Sequence, residues 1–266
     1  MPPDDAHAAT QIGEPRRSLL IDNLPREAIV SIAVFLCLWQ AMSYLAPTLG
    51  IPPFAIPGLG RIAMSLTKIT PIDVAVTLGR VLAALVVSFA IGLMVAICMY
   101  LSEAIEKYLR PMVRILMAVP VVSWILFAVL WFKGVEFRIC FVLVVVCAPV
   151  FTVDALDNMR EVSKELRQMI RSFRPTPLQF FHKLMLPAIT PGLITSWKIT
   201  LSLAIRVVTI AELVGAVTGI GHQLSVAQEL FSVADVFAWT LVLVVLLFIL
   251  EALLVRLETR VLRWRA

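Results

Sequence analysis

Charge is scarce in this chain, and histidine is scarcer. Asp, Glu, Lys and Arg make up 15% of its 266 residues, while 60% are hydrophobic. An average soluble domain carries about 25% charged residues. The mean hydropathy of +0.94 therefore places the chain in the membrane class. The three histidines, His7, His182 and His222, lie far apart, and no H-E-x-x-H pair occurs, which excludes the usual zinc hydrolase signature. No G-x-x-x-x-G-K-[ST] run is present, so the chain does not hold ATP in a P-loop. The absence of G-x-S-x-G likewise excludes a nucleophile elbow. The four cysteines, Cys37, Cys98, Cys140 and Cys147, all sit inside apolar blocks and form no CxxC. That excludes a disulfide framework and reads as buried packing. The first 25 residues hold Asp4, Asp5, Glu14, Arg16, Arg17 and Asp22 and no apolar run. They read as a polar tail rather than a cleavable signal peptide.

What is abundant is apolar sequence in long blocks. Residues 81–101 carry no charge over 21 positions, enough to cross a hydrocarbon core of about 30 Å. Similar blocks lie at 28–45, 115–132, 139–153, 199–217 and 236–250. The pattern predicts an all-α polytopic protein with six transmembrane helices. Net charge is +5 with a pI near 9.3, and orientation explains the excess without nucleic acid. Sixteen Lys and Arg fall in residues 16–26, 107–114, 160–183 and 256–265, against Arg61, Lys68, Lys133 and Arg138 in the alternate loops. Positive residues concentrate on the cytoplasmic side, so both termini are expected to be cytoplasmic.

The expected organisation is a polar tail at 1–26, a transmembrane domain at 27–256 and a basic tail at 257–266. The outer loop after the first span is rich in Pro and Gly, with a short helix expected near residues 62–66. Pro120 is expected to kink the third span. Gly219-Ile220-Gly221 reads as part of an outer loop.

The most ordered polar stretch is 162–187, within a wider inner element at 158–190. Val162, Leu166, Met169, Ile170 and Phe173 recur at helical spacing, with polar residues between them. Pro175-Thr176-Pro177 breaks that helix. Thr176 is placed to cap a second one, with Pro177 at its first position. The second helix is expected to carry Leu178, Phe181 and Met185 on one face and to stop at Pro187. One reading of this helix-turn-helix is a docking element for another protein. The other is an amphipathic helix lying on the lipid surface.

From Thr77 to Leu224 the chain resembles the permease subunits of bacterial ABC importers, in the nitrate/sulfonate/taurine group of the binding-protein-dependent transport family. The resemblance rests on Thr77-Leu78-Gly79-Arg80, then Pro111, Pro120, Trp131-Phe132 and Gly134. It continues in Leu184-Met185-Leu186-Pro187 with Pro191, in Ala211-Glu212, and in Gly219-Ile220-Gly221. The family's inner-loop glycine falls on Arg174. Because Arg174 precedes Pro175, an extended conformation and a different turn are expected there.

The resemblance implies a type I importer permease fold with a cytoplasmic coupling helix. It implies a homodimer working with two copies of a separate ATPase, which binds ATP and Mg, and with a periplasmic or lipid-anchored solute-binding protein. It places the protein in the bacterial inner membrane, without cofactor or catalytic activity of its own. The coupling role falls on Arg171, Arg174, Thr176, Leu178, Phe180, Phe181, His182, Leu184, Leu186 and Pro187. On this reading Val162, Leu166, Ile170 and Phe173 pack against the spans, while Phe180 and Phe181 meet the ATPase. The implied function is import of a small solute. An anion such as a sulfonate, nitrate or carboxylate is one reading; a neutral or heterocyclic vitamin precursor is the other.

Two charges interrupt the fifth span, and charge inside a span usually faces a cavity or a partner. Arg206 could line a path for an anion, or bond carbonyls and reach an interface. Glu212 could belong to the path, or make a packing or gating hydrogen bond. Arg80 reads as an interface anchor. An intramembrane enzyme would need facing catalytic groups, but Arg206 and Glu212 stand roughly 240° apart on a helix. A passive channel would have no use for the inner helix-turn-helix.

Overall fold

A computed structural model describes residues 26–262, apart from Pro53. The expected tail at 1–26, except Arg26, and the last four residues lie outside the described residues. The described residues are mostly helical and contain no strand. Two compact units divide at Gly58.

The first unit holds α1 (Arg26–Leu45), followed by a 3-10 turn at Ala46–Leu49. Gly50 ends that turn with φ +74°, a left-handed conformation suited to glycine. The following loop folds back along α1. Trp39 Nε1 donates to the Pro57 carbonyl at 3.1 Å and Ser43 Oγ to the Ile56 carbonyl at 2.9 Å.

The second unit holds α2 (Leu59–Leu66), α3 (Pro71–Leu101), α4 (Glu103–Ala118), α5 (Val121–Trp131) and α6 (Val135–Glu161). Then come α7 (Lys164–Ser172), α8 (Pro177–Phe180), a π-helical turn at Phe181–Met185 and α9 (Leu186–Gly215). It ends with α10 (Ile220–Glu229) and α11 (Val233–Val261). Five helices among the described residues are long and apolar enough to span a membrane; α4 and α5 together make a sixth if their bend is counted as one span.

α3, α6 and α9 form the centre. Phe89, Phe151 and Trp197, one from each helix, meet with ring centroids 5.3–5.5 Å apart. Gly92 lets α3 approach α6, because a Cβ there would lie 2.7 Å from the Ala148 carbonyl oxygen and 2.7 Å from Phe151 Cβ. Small residues serve membrane helix packing in this way, by bringing backbones close enough for dispersion contact. One buried cluster runs through Val81, Leu85, Leu143, Phe151, Leu201 and Val208. A second, toward the α7 end, joins Met99, Met159, Val162, Met185 and Ile189. Lys198 of α9 pairs with Glu258 of α11 at 2.6 Å.

Two prolines behave differently from the sequence expectation. Pro120 does more than kink its span: α4 and α5 are separate helices bent by 93°. Pro120 stands as the residue before α5, where its missing N–H costs nothing. Pro187 does not stop a helix. The chain stays helical from Pro177 to Gly215. A proline ring inside an α-helix clashes with the carbonyl four residues earlier. Here the turn before it widens to π geometry, with Leu186 N–H bonded to the Phe181 carbonyl, which accommodates the ring without a break. Of the expected outer loop at Gly219-Ile220-Gly221, Gly219 does lie in a loop at 216–219, while Ile220 and Gly221 open α10.

Candidate functional site

The inner element is built as two short helices with a turn between them. Thr176 and Gln179 cap reciprocally: Gln179 N–H donates to Thr176 Oγ1 at 3.3 Å, and Thr176 N–H to Gln179 Oε1 at 3.1 Å. This is a capping box with glutamine at the third position, and Pro177 follows as the first helical residue. Arg174 corrects the expectation of an extended turn. Its φ is +48°, the left-handed conformation a glycine would adopt freely. The chain makes the glycine-type turn with an arginine, at a cost of about 1–2 kcal/mol. Arg174→Gly is therefore expected to stabilise the element by about 1 kcal/mol, after the greater unfolded-chain entropy of glycine is subtracted. Slower proteolysis between α7 and α8 would register it; faster cleavage in the glycine variant would refute the assignment.

The apolar faces are also placed differently from the expectation. Only Val162 of the α7 stripe is buried, while Phe173 is 78% exposed and Met169 and Leu166 are also exposed. Phe180 and Phe181 are half-buried against the cluster of Met99, Met159 and Met185. Leu184 is buried, Leu186 and Pro187 are half-buried, and His182 and Arg174 are exposed. The reason is the unbroken run into α9: its rigid axis turns Phe181, Leu184 and Met185 toward the bundle. Phe173, beyond the turn, has nothing in the described chain to pack on. The side chains of Arg171 and Leu178 lie outside the described residues.

At the opposite end of the spans, a buried polar junction joins α3, α6, α9 and α10. Glu212 of α9 is fully buried. Its carboxylate accepts from Arg80 Nη1 at 2.7 Å, Thr77 Oγ1 at 2.9 Å and Gly221 N–H at 2.9 Å. Thr77 Oγ1 in turn accepts from Ile220 N–H at 2.9 Å. Arg80 also donates to the Thr218 carbonyl at 2.8 Å and to Glu136 through Nε at 2.8 Å and through Nη2. Asp73 accepts from Gly219 N–H at 2.8 Å and from Gln223 Nε2 at 2.9 Å. Arg138 Nη2 closes the rim on the Gly215 carbonyl at 2.8 Å. Gly219 has φ +110°, and a Cβ there would meet the Glu212 carboxylate at 2.6 Å. Thr77–Arg80 and, more than 130 positions away, the neighbouring stretches Ala211–Glu212 and Gly219–Gly221 thus form one hydrogen-bonded unit.

Arg80 is accordingly not an interface anchor but a buried partner of Glu212, and Glu212 makes its hydrogen bonds within this buried junction. Asp73 and Gln223 were missed. Their available signal was an acidic residue in the first turn of a span, which needs donors nearby.

Arg206 stands apart from this junction. It is exposed on α9 and makes no ion pair with any described residue. Around it on the same helix Ile199, Ile210 and Leu213 are exposed as well. No cluster of metal-ligating side chains occurs among the described residues.

Residues 88–263 match the family described as "Binding-protein-dependent transport system inner membrane component". That is well over half of the chain. The chain belongs to this family. Among curated proteins it is similar to the taurine transport system permease protein of Escherichia coli, 27% identical over 191 residues, covering 71% of this chain and 69% of that one. It is also similar to the formylaminopyrimidine transport permease protein of Halalkalibacterium halodurans, 24% identical over 190 residues, covering 71% and 76%. Among solved structures it matches an inward-facing form of the MetNI methionine ABC transporter at TM-score 0.64 and 20% identity, covering 70% and 92%. That last likeness carries the fold. This member of the family is a transport permease of the inner membrane rather than an enzyme.

Proposed function

We propose that this permease imports a small anionic solute as a homodimer, driven by two copies of a separate ATPase that binds ATP and Mg and fed by a solute-binding protein. The observation that carries the anion reading is Arg206. A cation on the open face of a spanning helix, without an ion-pair partner among the described residues, is costly against lipid. A solute path between two copies would relieve that cost. The relative that transports taurine, a sulfonate, supports the same reading. The relative that transports formylaminopyrimidine supports the alternative of a heterocyclic solute, for which an unpaired arginine offers less.

The lysine and arginine bias supports cytoplasmic termini and a cytoplasmic 158–190 element. On that footing the element receives the ATPase. Phe173 and Met169 are the apolar contacts it offers outward, with Arg174 and His182 beside them. Phe180, Phe181, Leu184, Leu186 and Pro187 transmit its movement into α9, since the helix runs from the π turn onward without a break. Thr176 holds the angle between the two halves.

The test is uptake of labelled taurine into proteoliposomes holding the permease, its ATPase and its binding protein. Arg206→Gln is expected to leave assembly intact and to cut uptake roughly tenfold, the worth of one charged hydrogen bond. Arg206→Lys should retain part of it, keeping the charge without the planar fork. Normal uptake in the glutamine variant, or loss of assembly, would overturn the path assignment.

A further inference from the structure

α4 does not continue its span. α5 has 11 residues, about 16 Å of helix, half of a hydrocarbon core of about 30 Å. The 93° bend then turns α4 aside, against α3 and α6, the latter ending with Arg160 in its last turn. α4 has two unlike open faces. Ile105, Tyr108, Met112 and Ile115 are exposed along one. Lys107, Arg110 and Arg114 follow one another along the other. That division suits a helix lying in the membrane interface.

Between the basic face and the inner ends of α3 and α6 is a cavity of about 190 Å³, roughly six times the volume of a water. Met99, Val113, Val153 and Leu156 form apolar walls, and Arg110, Arg114 and Asp157 supply charge. Arg110 is already held by Glu106 at 2.6 Å, and Glu106 also takes Arg160. Arg114 and Asp157 are different: neither forms an ion pair with the other or with any described residue. One cavity is therefore lined by an uncommitted cation and an uncommitted anion together with apolar side chains.

We propose that this cavity binds a small zwitterion, its oxyanion on Arg114 with Arg110 behind it, its ammonium on Asp157, and its short carbon spacer on Met99 and Leu156. Arginine forks match tetrahedral oxyanions, and basic pockets between spans on the cytoplasmic side bind anionic headgroups; the Asp157 carboxylate in the same lining adds the preference for a ligand that also carries a cation. Two sources offer this chemistry: the phosphoethanolamine headgroup of a membrane lipid, and a free amino-sulfonate or similar solute. The site is independent of Arg206, and its readout is binding, so failure of the import reading would leave it standing.

The experiment uses the full chain assembled with its ATPase. In one arm, thermal shift is read with phosphoethanolamine and 2-aminoethanesulfonate, against inorganic phosphate and ethanolamine alone. In the other, native mass spectrometry counts lipid retained from nanodiscs of phosphatidylethanolamine or phosphatidylglycerol. A zwitterion should bind, and Arg114→Gln and Asp157→Asn should each weaken it about tenfold. Retention of phosphatidylethanolamine over phosphatidylglycerol, lost in both variants, assigns the lipid source; stabilisation by the soluble zwitterions alone assigns the solute. Asp157 is exposed, so its variant reads binding even if Arg114→Gln disturbs folding. Binding of phosphate alone as tightly as the zwitterion, equal retention of phosphatidylglycerol, unchanged binding in Asp157→Asn, or no binding at all would each overturn the proposal.

Discussion

Glu212→Ala is expected to destabilise the permease by about 3 kcal/mol, near the low end for breaking a buried ion pair. Removing the carboxylate leaves Arg80, whose side chain is 6% exposed, with Glu136 as its remaining acidic partner. It also strips an acceptor from Thr77 Oγ1 and from Gly221 N–H. Glu136 keeps the arginine from complete isolation, which is why the cost falls at the low end. Glu136→Gln should cost far less, about 1 kcal/mol at most, because that side chain is 70% exposed and its pair is screened by water. Glu212→Gln should fall between, since the amide still accepts from Thr77 but loses the charge facing Arg80. The measurement is the melting temperature of the purified protein in detergent, with the yield of assembled complex alongside. Equal losses for Glu136→Gln and Glu212→Ala would remove the buried pair from the centre of the junction. A Glu212→Ala protein that melts with its parent would dissolve the junction altogether.

The spans were legible in the sequence because their signal is local: an uncharged run such as 81–101 has one way to satisfy its backbone in lipid. Helix breaks were less legible, because a proline states that something must change and not what. Pro120 marks a 93° break, Pro149 and Pro191 sit inside continuous helices, and Pro187 is absorbed by a π turn. What decides each case is the packing around it. Arg174 was misjudged for a related reason. Its own preference and that of the following proline favour extended backbone, but the docking of Phe180, Phe181 and Met185 on one side and Val162 on the other fixes where the two helices must meet. The turn between them then takes the left-handed form whatever residue occupies it. The junction was half legible. Thr77–Arg80, Glu212 and Gly219–Gly221 were each noticed, but Arg80 and Glu212 are 132 positions apart. Only the general argument that a buried cation seeks a buried anion could have paired them. Arg206 was open to the same pairing and did not take it, because it faces away from Glu212 on α9.

Gly221→Ala is expected to be among the most damaging single-methyl changes in the chain, and Gly79→Ala among the least. Both glycines belong to stretches that define the family resemblance, and both sit in helices of the junction. Their surroundings differ. A Cβ on Gly79 would meet nothing within 4 Å, so alanine should be neutral or stabilise the helix by up to about 1 kcal/mol. A Cβ on Gly221 would lie 2.6 Å from Glu212 Cβ and 3.0 Å from Leu213 N, and would collide with the Thr209 carbonyl oxygen. Backbone of a packed spanning helix cannot step aside as a flexible side chain can, so the start of α10 must move instead. That movement lengthens the bonds from Gly221 N–H to Glu212 and from Ile220 N–H to Thr77, each 2.9 Å in the parent. Overpacking costs about 1–3 kcal/mol, and a hydrogen bond to a charged group adds about 1.5–3 kcal/mol. Together they predict a loss of about 3 kcal/mol or more, with lower assembly yield and a lower melting temperature. Combining Gly221→Ala with Glu212→Ala should cost less than the two losses added, because both act on one hydrogen-bonded unit. Full additivity, or a Gly221→Ala protein indistinguishable from Gly79→Ala, would mean that α10 is not held to α9 by this contact.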